Sequence, residues 1–133
     1  MGKQHQPTFI AASEVQKIKK GWGHELIFAS NDDYCGKILH YDNKDTVSSF
    51  HSHQFKRESF KILRGSFELG YCDENGRICS KVLRIGDVVH IPPCVPHQLC
   101  ALEDNSEVIE VSTEDDPEDV IRIAPGLSQA KIK

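Results

Sequence analysis

The sequence predicts an all-β fold, a sandwich or a barrel, on three observations. Short segments rich in β-branched and aromatic residues recur along the chain, each closed by a cluster of turn formers. No segment in the middle carries a helical period. The 133 residues suit one domain with one core, and no internal repeat, low-complexity tract or interior linker divides them.

Residues 1–20 read as an N-terminal extension, in which 11–20 fit a short helix or a strand equally well. Candidate strands follow at 25–29, 35–41, 47–53, 58–63, 66–72, 78–84, 88–91, 97–102 and 108–113. Between them lie turn signals such as Asn31-Asp32-Asp33, Arg64-Gly65, Asn75-Gly76, Gly86-Asp87 and Pro92-Pro93. A two-residue turn at Asn75-Gly76 pairs Glu74 with Arg77 and sets Cys72 opposite Cys79. Asp116-Pro117 opens a C-terminal turn. The barrel therefore occupies 21–125, and 126–133 reads as a flexible tail.

Composition excludes several classes of partner. A formal net charge of -4 gives no electrostatic footprint for nucleic acid or an anionic membrane. No apolar run approaches membrane-spanning length, and the polar start lacks the apolar stretch of a signal peptide. The five cysteines, an odd number, suit free thiols, so the expected location is cytoplasmic.

The chemistry gathers in two places. In His51-Ser52-His53, residues i and i+2 of a strand point to one face, so two imidazoles can converge on one ion. Taken alone, such a pair is equally two surface histidines. Glu58 opens the next strand, with Phe60 and Ile62 on its face, and is otherwise a solvated charge beside Lys56 and Arg57. Farther on, Pro92, Pro93 and Pro96 fix the approach of His97, and rigid placement is what a ligand needs.

These residues carry a resemblance. His51-x-His53-x4-Glu58-x6-Gly65 and Gly86-x5-Pro92-x4-His97 are similar to the two motifs of the cupin superfamily, with Asp45, Cys94 and Ala101 where the family has Gly, Gly and Asn. The resemblance implies a jelly-roll barrel, or double-stranded β-helix. It implies one divalent metal held by His51, His53, Glu58 and His97. Nitrogen and oxygen donors suit Mn, Fe, Ni, Co or Zn. Gly21-Trp22-Gly23-His24-Glu25, with Val108-Ile109-Glu110-Val111 and Glu118 to Arg122, resembles the opening and closing segments of mannose-6-phosphate isomerase-like cupins. That subgroup implies a sugar or sugar phosphate as ligand.

The expected function is a metal-dependent aldose–ketose isomerisation. Glu110 and Lys37 are the candidate catalytic residues if both face inward, and are otherwise outward strand charges. A three-His, one-Glu centre also serves iron-dependent dioxygenases, and a non-catalytic carbohydrate-binding or sensing module needs neither chemistry. Ser49 is a candidate ligand contact, Trp22 packs on the barrel wall, and His90 is a core or supporting histidine. A homodimer is expected, with the apolar positions of 10–18 as the arm.

Overall fold

Alternation of apolar and polar residues along short segments leaves each strand one face to bury, and two packed sheets satisfy that demand. The computed structural model describes residues 6–124 and 126. Among them are eleven strands and one 3-10 turn, Ala12–Glu14. The strands are β1 (Gln16–Lys20), β2 (Gly23–Ser30), β3 (Cys35–Tyr41), β4 (Phe50–Ser52), β5 (Glu58–Arg64) and β6 (Ser66–Cys72). After them come β7 (Ile78–Arg84), β8 (Val88–Ile91), β9 (His97–Ala101), β10 (Ser106–Ser112) and β11 (Ile121–Ala124).

One sheet runs β1-β2-β3-β10-β5-β8 and the other β11-β4-β9-β6-β7, antiparallel throughout. The jelly-roll prediction therefore holds. No helix is long and apolar enough to cross a membrane among the described residues. Between the sheets Tyr41, Ile62, Phe67 and Val108 are almost wholly buried. Trp22 stacks on Tyr41, ring centroids 4.2 Å apart, which makes it the packing residue the sequence suggests.

Three local expectations change. The predicted strand 47–53 narrows to Phe50–Ser52. Upstream, the Leu99 N–H donates to the Ser48 hydroxyl at 3.0 Å, so a side chain takes a place in the ladder. Residues 16–20 settle as a strand, and β11 follows a C-terminal turn that the sequence signals only as a turn.

The third change concerns the β6–β7 hairpin. Its turn spans Asp73 to Arg77, with the Asp73 N–H on the Arg77 carbonyl and Gly76 at φ 77°. That left-handed glycine adds one residue to the loop and shifts the register by one. Cys72 now pairs with Ile78, and Cys79 with Tyr71. The two cysteines therefore face opposite sides of the ribbon and are not directly opposed. All five cysteines are free.

The motif positions explain themselves in this frame. Gly65 turns between β5 and β6 at φ 69°, where a Cβ would run into the Ser106 side chain. Asp45 and Cys94 take φ 70° and 68°, so both keep the left-handed turn of the glycines they replace. Residues 127–133, most of the predicted tail, lie outside the described residues.

Candidate metal centre

The four predicted ligands converge. His51 of β4 and His97 of β9 are direct cross-strand partners, which brings their rings to 4.7 Å between centroids. His53 stands just beyond the end of β4, and Glu58 is the first residue of β5. The ligand atoms of all four lie within 4.8 Å of one another.

Each ring is turned by a backbone carbonyl. His51 Nδ1 lies 2.9 Å from the Ser49 carbonyl, His53 Nδ1 2.6 Å from that of Asp119, and His97 Nδ1 2.8 Å from that of Val95. A carbonyl only accepts, so these contacts place the proton on Nδ1 in each ring. The three Nε2 lone pairs are thereby left for a common point. Glu58 Oε2 lies 2.9 Å from His97 Nε2 and 3.2 Å from His53 Nε2. Both Glu58 Oε2 and His97 Nε2 are buried with no hydrogen-bond partner. Lone pairs gathered at this distance form a group that could hold a metal ion.

The titration of the set agrees with its crowding. Burial, then His97 and His53, push His51 down to about 4. Burial works to raise Glu58, but its contacts with His53 and His97 hold it well below the usual carboxylate range. Burial would lower His53, yet Glu58 and the Asp119 carbonyl raise it.

A chain of charges continues from the ligands into a cavity of about 500 Å³. Lys56 Nζ lies 3.9 Å from Glu58 Oε1, 3.0 Å from Glu110 Oε2 and 2.9 Å from Asp115 Oδ1. Asp115 in turn meets Lys37 Nζ at 2.8 Å, and Lys37 reaches Glu25 at 3.7 Å. Glu110 and Lys37 are cross-strand partners, and both are buried and line the cavity. Burial and the Glu58 charge raise Glu110, against the pull of the two lysines. Burial opposes the charge on Lys56, but Glu110, Glu58 and Asp115 hold it protonated.

Sequence reading missed Lys56, which is only 5% exposed although it sits in a polar turn. It also missed Asp115, Asp119 and Glu25 as parts of the site. A charged residue in a polar stretch carries no local sign of burial; resemblance alone touched Glu25, through 21–25, and Asp119, through 118–122. Ser49 supports His51 from 3.0 Å. His90 is a correction: it is exposed and bonds Ser59 at 2.7 Å, so it belongs to neither the core nor the centre. On a strand whose inward residues are Val89 and Ile91, it falls on the outer face.

A family model described as Cupin matches residues 4–132. The chain belongs to the cupin family. No curated protein sequence matches it significantly. Among solved structures, this cupin is similar to oxalate decarboxylase from Bacillus subtilis at pH 4.6, with TM-score 0.73 and 19% identity. The match covers 86% of this chain and 31% of that one, so this cupin spans about a third of that enzyme's length. It is also similar to KdgF from Halomonas sp., with TM-score 0.71 and 21% identity over 85% of this chain and 98% of that one. At these identities the likeness is one of fold.

The residues of this cupin fit a divalent ion. Glu58 Oε2 and His97 Nε2 are buried without a hydrogen-bond partner, and three imidazoles and a carboxylate gathered around one point are a donor set suited to such an ion. The cavity beside them is lined by five carboxylates, Glu25, Glu58, Glu110, Asp115 and Asp116, and four cations, Lys20, Lys37, Lys56 and Arg122.

Proposed function

We propose that this cupin holds one divalent transition metal through His51, His53, Glu58 and His97 and interconverts an aldose and a ketose, as the free sugar or the sugar phosphate. The observation that carries the reading is that Glu110 and Lys37 line the same cavity as the four donors. A bound metal supplies Lewis acidity toward adjacent hydroxyl and carbonyl oxygens. Glu110, as the base, takes the proton from C2 of the aldose and returns it to C1, while the O2 hydroxyl proton passes to O1, with Lys37 as its candidate carrier. Burial and the Glu58 charge raise the Glu110 carboxyl, the direction that favours a base able to return the proton. Lys37 and Lys56 keep the carboxylates of the cavity in place. Lys20 and Arg122 line the cavity as well and suit a phosphate group.

The test is exchange of solvent deuterium into C1 and C2 when metal-loaded protein meets a panel of sugars and sugar phosphates. Exchange with at least one is expected, and Glu110→Gln abolishes it while metal content stays at the wild-type level. No exchange, with iron-dependent oxygen uptake on another substrate, makes the dioxygenase reading the better one. That second reading draws on an apolar pocket of about 290 Å³ that reaches His97 beside Val89, Ile91 and Val95. A ligand bound without either reaction leaves the binding-module reading.

We further infer a homodimer through the arm at 10–18. Phe9 and Ile10 support it, being 88% and 60% exposed. Light scattering at micromolar concentration should give twice the chain mass. The cytoplasmic location is supported by the five free thiols.

A further inference from the structure

Asp119 is not a donor to the centre, yet it grips the centre from two sides. Its backbone carbonyl accepts the His53 Nδ1–H at 2.6 Å. Its carboxylate accepts the backbone N–H groups of Gln54 at 2.7 Å, Phe55 at 3.1 Å and Lys56 at 3.0 Å. The segment held in this way, 54–57, is what joins the donor His53 to the donor Glu58. It belongs to no strand; its other backbone ties run between Arg57 and Thr113 and from the Cys94 thiol to the Gln54 carbonyl.

We propose that Asp119 is a positioning residue of the metal centre, an inference that rests on the metal reading above. One residue sets the ring angle and tautomer of His53 and the span between His53 and Glu58. Through the Lys56 N–H it also fixes the start of the side chain that reaches Glu58 and Glu110. An imidazole can turn about its own bonds, and a four-residue connection can breathe. Both freedoms spread the donors; the backbone carbonyl of Asp119 restrains the first, and its carboxylate restrains the second and holds the carbonyl against the ring. This gives the 118–122 segment a physical task. It buckles the C-terminal end of the chain onto the connection between two donors.

The β6–β7 hairpin supplies the control. There Asp73 accepts the N–H groups of Asn75 and Arg77, each at 2.9 Å, in the same kind of carboxylate-to-backbone clasp away from the donors. Replacing either aspartate by alanine deletes a loop clasp, but only one of these loops lies between donors.

The chelator-stripped full chain is titrated with Co²⁺ by calorimetry, with the visible d–d spectrum as a second readout and the melting temperature of each apo form alongside. Wild type should bind one Co²⁺. Asp119→Ala should weaken that affinity by about 10–100-fold and alter the spectrum, whereas Asp73→Ala should leave both unchanged. Asp119→Asn, close in shape, keeps one acceptor oxygen and should fall between; it carries the test if the alanine variant does not fold. Wild-type affinity and spectrum in both Asp119 variants, or an equal loss in Asp73→Ala, overturns the proposal. A wild-type chain that takes up no Co²⁺ overturns the metal reading beneath it, and the two failures are told apart by that titration.

Discussion

The two ends of the barrel interior are built on the same strands and do opposite work. On β5, Glu58 at the mouth is followed inward by Phe60 and Ile62, all three buried. On β9, His97 is followed by Leu99 and Ala101, and on β10 Glu110 is two residues from Val108. One step of the two-residue strand period thus separates a polar side chain of the mouth from a packed hydrocarbon. At the apolar end, stability comes from filling space. At the polar end, every charge is held by another, so the same burial is tolerable only with its partners present.

The largest effect should come from the mouth. The double variant His51→Ala, His97→Ala should lose essentially all bound metal by elemental analysis, while circular dichroism keeps the β signature. Full metal content in that variant would dissolve the distinction between the ends.

Lys56→Met should come next. It leaves Glu58, Glu110 and Asp115 facing one another without their shared ammonium, and the apo chain should lose about 3–5 kcal/mol by urea unfolding. Leu99→Ala, at the apolar end, should cost a comparable or smaller amount, about 2–5 kcal/mol, with metal stoichiometry unchanged. A Leu99→Ala chain that folds stably but has lost its metal would mean that the two ends are not separable.

The smallest effect concerns pH. Burial acts to raise the Asp115 carboxyl, but Lys37 and Lys56 outweigh it and hold the carboxyl down to about 2, against an ordinary 3.8. A folded value below the unfolded one means the folded chain binds fewer protons, so the stabilisation is present above about pH 4 and is lost as pH falls toward 2. Asp115→Asn should flatten the acid limb of the stability curve by about 1–2 kcal/mol, allowing for solvent screening. An unchanged acid limb would assign that slope to other carboxylates.

Much of this arrangement was legible from local pattern. Turn residues and period-two segments outlined nine of the strands, and the spacing of His51, His53, Glu58 and His97 named residues that do meet. Both signals are local or sit on strands that a jelly roll must pair. The Asn75-Gly76 signal was real, but turn type sets register, and the extra left-handed residue there moved Cys79 off Cys72. His90 read as an inner residue because its neighbours are apolar on both sides, although strand alternation turns it outward.

The sequence by itself determined the all-β architecture and the four side chains that meet at the mouth, whereas the left-handed backbone that Cys94 keeps in place of glycine came from the fold. Only the tertiary structure decided what surrounds the donors. Lys56 and Asp119 are 63 residues apart, with a contact of 3.0 Å between them, and Asp115 reaches Lys56 across 59. No periodicity or spacing encodes such pairs, because a charged side chain in a polar loop has the same local signature whether it ends in water or in a cavity. Where it ends is set by which strands close over it, and that depends on the whole chain packing at once.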